Sequence, residues 1–265
     1  LHLTITHTTR YSYETPVHYA LQKIRLIPRD TPQQRINDWK VQITGGNREV
    51  IYHDQHGNVT ELMQIDPGAT EVSITASGRV ETRDTAGILG KVYGSIPLWL
   101  YLQESKLTKP GDGIREIAAT LEAAQDKLTG LHDMSARIAE AVKYGSGQTY
   151  AETTAEEALK GGKGVCQDHA QIFISAARAA GIPARYVSGY LMMPDRVEQS
   201  ATHAWAEAHL DTLGWVGFDV SNAQSPDEHY VNVATGRDYL DAAPISGLRQ
   251  GSGDESMIVS LQVQQ

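Results

Sequence analysis

The run Gly161-Gly162-Lys163-Gly164-Val165-Cys166-Gln167-Asp168-His169-Ala170 holds the most chemical content, a glycine-rich turn leading straight into a helical pattern. Cys166, the single cysteine of the chain, falls at the start of that helix. A helix start offers unpaired backbone N–H groups and the positive end of the macrodipole, and both favour a thiolate over a thiol. The same N–H groups can donate to the oxyanion that forms when a sulfur attacks a carbonyl carbon. A plainer reading competes: Cys166, Ala170, Phe173, Ile174 and Ala177 form the apolar face of a buried helix, and free cysteine is among the most buried residue types.

A thiolate nucleophile needs an imidazole beside it, and the imidazole needs an acceptor that holds its tautomer. Two strand-like runs carry both: His203-Ala204-Trp205-Ala206-Glu207-Ala208-His209-Leu210 and Trp215-Val216-Gly217-Phe218-Asp219-Val220, separated by Asp211-Thr212-Leu213-Gly214. His203 and Asp219 share a face of that hairpin only if opposed residue numbers sum to an even value, as 209 with 215 or 211 with 215, so the loop must hold three or five residues. Gly214 suits a three-residue loop, which commonly ends in a left-handed residue. Taken alone, His203 is an ordinary strand histidine and Asp219 a carboxylate beside a turn. His209 lies on the same face as His203, His169 follows the cysteine on its helix, and His53 and His56 flank a turn. His53-Asp54-Gln55-His56 lacks a helical metal-binding arrangement and a third ligand, so no metal is expected.

The elements that must position these residues are legible as periodicity. Residues 1–85 read as strands: Leu1, Leu3, Ile5 and His7 alternate with polar neighbours, and Trp39-Val41-Ile43, Val50-Tyr52 and Val72-Ile74-Ala76 repeat the signal. Gly45-Gly46-Asn47, His56-Gly57-Asn58 and Asp66-Pro67-Gly68 mark turns between them, the pattern of an antiparallel sandwich. Residues 86–112, with Gly87, Gly90, Gly94, Pro97, Pro110 and Gly111 around one apolar patch, read as a linker that packs against something. Helical stripes follow at Ile114, Ile117, Ala118 and Leu121 and at Leu131, Met134, Ile138 and Val142. A capping box at Thr154-Ala155-Glu156-Glu157 opens a third helix that stops at Gly161-Gly162, and the fourth begins at Cys166 and ends before Gly181. Strands are expected over 184–191, 203–210 and 215–220, and residues 195–202 as a mobile loop over the cleft.

Composition narrows the function classes. With 265 residues and 40% hydrophobic content the chain can bury a sizeable core, and its 23 basic against 32 acidic residues give a net charge of −9. No Lys/Arg cluster forms a stripe for phosphates, so nucleic acid is not an expected partner. The longest apolar run, 96–102, is broken by Pro97 and falls far short of the roughly 18 to 20 residues of a membrane span. The N-terminus does not read as a signal peptide, and a cytoplasmic location is the expectation. No calcium loop or phosphate-binding glycine pattern is present, so no cofactor is expected.

In four blocks the chain resembles the transglutaminase-like superfamily of papain-fold cysteine enzymes, in its bacterial form with a β-rich N-terminal region. The blocks are Gly164-Val165-Cys166-Gln167-Asp168, Gly181-Ile182-Pro183-Ala184-Arg185-Tyr186-Val187-Ser188-Gly189-Tyr190, His203-Ala204-Trp205-Ala206-Glu207 and Gly214-Trp215-Val216-Gly217-Phe218-Asp219, with Gly236-Arg237-Asp238-Tyr239 further on. The resemblance implies an α+β fold: an N-terminal antiparallel β-sandwich-like domain over 1–85, the linker, and a transglutaminase-like core of helices packed on an antiparallel sheet over 113–265. It gives Cys166 the nucleophile position, His203 the general base and acid, and Asp219 the orienting carboxylate. It also calls for a second oxyanion donor, for which Tyr144 and Gln148 are the candidates, and makes Trp205 and Tyr239 candidates for substrate contact. His169, where related sequences often carry an aromatic residue, and Val220, where proline is frequent, depart from the pattern.

The implied chemistry is attack of the thiolate on an amide carbonyl, protonation of the leaving amine by His203, and a thioester acyl-enzyme. Water as second nucleophile makes the protein a protease or amidase acting on a protein or peptide; a primary amine makes it a transglutaminase. Hydrolysis is the expectation. A core that has lost activity and serves as a binding scaffold is the reading from another class.

Overall fold

Alternating buried and exposed side chains make the first third of the chain all strand, as expected from the sequence. The computed structural model describes residues 1–91, 96–250 and 253–265. Six strands come first: β1 (His2–Tyr13), β2 (Tyr19–Ile27), β3 (Gln34–Thr44), β4 (Gly46–His53), β5 (Val59–Ile65) and β6 (Glu71–Thr82). A short strand β7 (Ile88–Gly90) precedes four helices, α1 (Asp112–Ala123), α2 (Lys127–Ala141), α3 (Ala155–Gly161) and α4 (Cys166–Ala179). Between the helices run two-residue strands, β8 (Lys143–Tyr144) and β9 (Lys163–Gly164), and after α4 come β10 (Ala184–Leu191), β11 (Glu198–Gln199), β12 (His203–Leu210), β13 (Gly214–Phe218) and β14 (Tyr230–Gly236). The chain closes with α5 (Tyr239–Ala242), β15 (Ile245–Gln250) and β16 (Glu255–Gln264).

Three larger sheets result. The orders β11-β16-β1-β6-β3 and β15-β2-β5-β4 form a sandwich, and β14-β10-β12-β13-β7 forms the core sheet. Tyr11, Tyr13, Ile24, Met63, Ile65 and Ile74 fill the space between the sandwich sheets. The same inner face of β1 then passes to a second partner, because Leu3 and Ile5 pack with Leu261 and Val263 against Tyr190, Val231 and Val233 of the core sheet. His7 lies between the two packings, buried, with its ring nitrogens bonded to Tyr190 Oη at 3.0 Å and Thr9 Oγ1 at 3.2 Å. Burial lowers its pKa to about 4, so it is a neutral imidazole at pH 7.

Pairing crosses the boundaries that composition drew at 85 and 112. β7, from within the expected linker, is the outer strand of the core sheet, while β15 and β16, from within the expected core, pair with β2 and β1 of the sandwich. Gly94 of the linker lies outside the described residues. The expected cleft loop over 195–202 also differs, since it contains β11, which pairs with β16 through Glu198 and Gln199.

The helices follow their local signals. Ile114, Ile117, Ala118 and Leu121 are all buried along α1. Thr154 Oγ1 accepts from the Glu157 N–H while the Glu157 carboxylate accepts from the Thr154 N–H, and α3 ends at Gly162 with φ of 66°. The Glu156 carboxylate caps the neighbouring helix α1, accepting from the N–H groups of Gly111, Gly113 and Ile114. Helix α4 lies on β12, whose Ala204, Ala206 and Ala208 face it and leave room for Phe173 to stack on Phe218 with centroids 4.9 Å apart. No helix among the described residues is long and apolar enough to cross a membrane.

Candidate active site

The β12–β13 hairpin sets the register on which the site depends. His209 opposes Trp215 and Leu210 opposes Gly214, so opposed numbers have an even sum and the loop holds three residues, 211–213. Gly214 has φ of +78°, the left-handed conformation that closes such a loop without a Cβ penalty. Asp219, just past β13, thereby lies on the face of His203. His203 Nε2 and Asp219 Oδ2 are 2.6 Å apart, and both side chains are buried.

The carboxylate is held from three further directions. Asn222 Nδ2 donates to Oδ2 at 2.7 Å, the Asn222 N–H donates to Oδ1 at 3.3 Å, and the Tyr230 hydroxyl donates to Oδ2 at 2.7 Å. Gln224 Nε2 fixes that hydroxyl at 2.9 Å. Burial pushes the Asp219 pKa up, but the hydrogen bond and charge of His203 and the donors Asn222 and Tyr230 outweigh it, so the group titrates below the usual carboxylate range. For His203 burial favours the neutral ring, and hydrogen bonds and charge from Asp219 and Cys166 reverse this and raise its pKa to about 10. With Nε2 committed to Asp219, Nδ1 is left for the thiol.

Cys166 is half-buried at the first position of α4. The turn before it is tightly specified. Asp168 Oδ2 accepts from the Val165 N–H at 2.8 Å and from Thr149 Oγ1 at 2.6 Å, which ties the helix start to the incoming turn and to the loop before α3. Gly164 is glycine because a Cβ there would stand 2.8 Å from the Asp168 side chain. His169, one turn into α4, is a strut between elements. Its Nε2–H donates to the Val142 carbonyl at 2.8 Å, which leaves Nδ1 to accept from Ser221 Oγ at 2.7 Å. One ring thus joins α4 to the residue before β8 and to the turn after Asp219. Burial pushes its pKa down, with the Val142 carbonyl and nearby carboxylates opposing.

The other expected site residues divide by exposure. Tyr144 pairs with Gly164 in the parallel β8–β9 ladder, two residues from Cys166, and is 62% exposed. Partial burial and then the charges of Cys166 and Asp219 raise its pKa, so its hydroxyl stays protonated as a donor. Tyr144 and His203 both line an open groove of about 470 Å³. Gln148 is exposed in the loop before α3. Trp205 is buried, its ring 6.2 Å from that of His203 and edge-on to Tyr230 at 5.3 Å, so it backs the histidine and does not face the groove. Tyr239 stands at the start of α5, packed edge-on against Tyr186 at 6.2 Å. Arg185 has a structural place in an ion pair with Glu207 at 2.6 Å over the Trp215 ring, and Arg237 pairs with Asp241 at 2.9 Å.

Sequence reasoning missed Asn222 and Tyr230. Asn222 sits three residues beyond Asp219, a spacing at which short polar side chains bond back to a turn. Tyr230 has no local signal, because β14 brings it to Asp219 through β10. His56, weighed against a metal pair, spends its ring nitrogens on Tyr101 Oη at 3.3 Å and Asp241 Oδ2 at 3.0 Å.

Comparison with known proteins gives a consistent family. Residues 115–220 match the core of the transglutaminase-like superfamily, and residues 3–81 match the bacterial transglutaminase-like N-terminal region. An uncharacterized protein of Mycobacterium leprae is 28% identical over 277 aligned positions, covering 98% of this chain and 97% of that protein. One from Mycobacterium tuberculosis is 30% identical over 285 positions, covering 96% and 89%. The crystal structure of a candidate cysteine protease from Cytophaga hutchinsonii shares the fold, with a TM-score of 0.80 at 24% identity over 99% of this chain and 90% of that one.

Proposed function

Since the chain belongs to the transglutaminase-like superfamily, we propose that it is a cysteine-nucleophile amidase that hydrolyses a peptide or isopeptide bond through a thioester acyl-enzyme. One observation carries this reading: the only thiol stands at a helix N-terminus and helps to raise the pKa of a histidine whose Nε2 is locked 2.6 Å from a buried carboxylate.

The steps follow from those contacts. Cys166 gives its proton to His203 Nδ1, and the thiolate attacks the amide carbonyl carbon. The carbonyl oxygen becomes an oxyanion facing backbone N–H groups at the start of α4, with the Tyr144 hydroxyl as the candidate second donor. His203 passes its proton to the amide nitrogen, the C–N bond breaks, and the amine leaves a Cys166 thioester behind. His203 then takes a proton from water, hydroxide adds to the thioester, and the collapsing intermediate expels the thiolate and releases the acid. Asp219 stays ionised throughout and holds the imidazolium. The groove beside His203 is open and edged by Ser200, Thr202 and Ser260, which supports water as the acyl acceptor.

The test is the pH dependence of iodoacetamide alkylation of the folded protein, where every event reports on Cys166. The expected rate is already high near pH 6 and falls in His203→Ala. A rate that rises only as an ordinary thiol ionises, around pH 8.5, and is the same in His203→Ala overturns the proposal. Incubating glutamine-containing peptides with and without an amine then separates acid product from amide-linked product.

A further inference from the structure

Strand β16 offers a main-chain edge beside the groove. Its pairing with β1 runs from Gln264 back to Glu255, but on its other side only Gln262 and Leu261 are paired, with β11. The Val263 N–H donates to the Val197 carbonyl, and Asp254 O accepts from the Glu14 N–H on the β1 side. By the alternation of an antiparallel ladder, odd-numbered residues of β16 therefore turn their N–H and C=O groups towards β11. The chain leaves that edge after Gln199 to reach His203. Glu255, Met257 and Val259 are left with outward main-chain groups that pair with no strand among the described residues.

Three features mark this edge as one built to receive a strand. First, it lacks the usual protection: the segment Glu255-Ser256-Met257-Ile258-Val259-Ser260 has no proline and no lysine, and its one charge, Glu255, is 3.9 Å from Arg249. Second, Met257 and Ile258 are 57% and 66% exposed, apolar side chains on both faces of the open segment. Third, β11 already pairs with the same edge two residues further on, and the place it vacates is continuous with the groove that Tyr144, Ser200, Thr202, His203, Val259 and Ser260 line.

We infer that the polypeptide substrate is taken up as an added strand on the free edge of β16, its main chain bonded to Val259 and Met257, so that its scissile carbonyl is led past His203 to Cys166. The inference rests on the proposed function. It specifies an extended, locally unfolded segment as the substrate, recognised first by its backbone. A strand rises about 3.3 Å per residue, so the outward positions 255, 257 and 259 address a stretch of roughly five residues.

Peptidyl chloromethyl ketones test it, since the Cys166 thiolate displaces chloride, forms the S–C bond and scores binding without turnover. Rates are compared for alanine peptides of one and four residues, each divided by the iodoacetamide rate of the same protein. The four-residue probe is expected to react at least tenfold faster, as two or more added main-chain hydrogen bonds would give. That advantage is expected to vanish when alternate peptide nitrogens are methylated, and to shrink in Val259→Pro and Met257→Pro, which remove an outward N–H while leaving the β1 ladder whole. The methylated probes keep the test open if a proline variant fails to fold. Equal normalised rates for short and long probes, with iodoacetamide labelling still dependent on His203, overturn the strand-addition inference alone; loss of the His203 dependence overturns the proposed function instead. A dimer in sedimentation that Val259→Pro dissociates would also overturn the inference, because a second copy would then occupy the edge.

Discussion

At the scale of single residues, the site is a chain of hydrogen bonds in which each partner fixes the next: Gln224 orients Tyr230, Tyr230 and Asn222 hold Asp219, and Asp219 holds His203. Asp219→Asn keeps the shape but exchanges an acceptor for a group that can donate to Nε2, which stabilises the wrong tautomer. Iodoacetamide labelling of Cys166 at pH 6.5 is expected to slow by about 100-fold, a smaller loss than the roughly 10⁴ seen for the corresponding change in a serine protease. Tyr230→Phe removes one charge-assisted bond and is expected to slow it by about tenfold, the equivalent of about 1.4 kcal/mol; an unchanged rate would mean that Asn222 and His203 alone position the carboxylate. The raised pKa of His203 also has a sign. The folded state binds this proton more tightly than the unfolded chain, so the stabilisation is fully present below pH 6.5 and is lost as the pH rises towards about 10.

At the scale of elements, the helix start is positioned by packing that tolerates little change. Gly164→Ala places a Cβ 2.8 Å from Asp168 and must displace the carboxylate that holds the Val165 N–H. A loss of about 1–3 kcal/mol in denaturant unfolding is expected, together with slower thiol labelling. His169→Phe fills the same space but leaves the Val142 carbonyl and the Ser221 hydroxyl without their partner, also about 1–3 kcal/mol. A melt unchanged in His169→Phe would show that the strut carries no weight. Helices α1 to α4 were legible in the sequence because their signals are local: apolar stripes at 3.6-residue spacing, a capping box at Thr154 and stops at glycine. The parity of the β12–β13 register was legible, because His203 and Asp219 share a face only with an even sum and Gly214 suits a three-residue loop. The choice between the two even pairings was settled by the structure. Strands β15 and β16 were not legible, since their partners lie over 200 residues away and Met257 and Ile258, both exposed, break the alternation that marks a half-buried strand. Of the donors to Asp219, Tyr230 was hidden for the same reason, being set by sheet order and not by spacing, whereas Asn222 follows Asp219 at a local spacing.

At the scale of the whole molecule, the sandwich and the core share one seam, and His7 is its buried polar member. Its pKa, lowered to about 4, means that the unfolded chain takes up a proton below pH 6.5 which the folded chain refuses, so stability is fully present above 6.5 and is lost as the pH falls towards 4. The full window is worth about 3 kcal/mol. His7→Gln is expected to flatten unfolding free energy over that range, whatever its effect at pH 7, and an unchanged slope would remove His7 as its source. With His203 acting in the opposite direction, stability is expected to peak near pH 6.5. The pairing of β16 with β1 has a further consequence in the order of synthesis. The strand that completes the first sheet, and with it one wall of the groove, leaves the ribosome some 240 residues after its partner and about 90 after Cys166. Until then β1 presents a bare edge and the apolar inner face of the seam is uncovered, so folding of the sandwich must wait for a contact of long sequence separation. Cys166 is therefore made well before β16, so the thiol of a growing chain stands beside a groove that still lacks one wall.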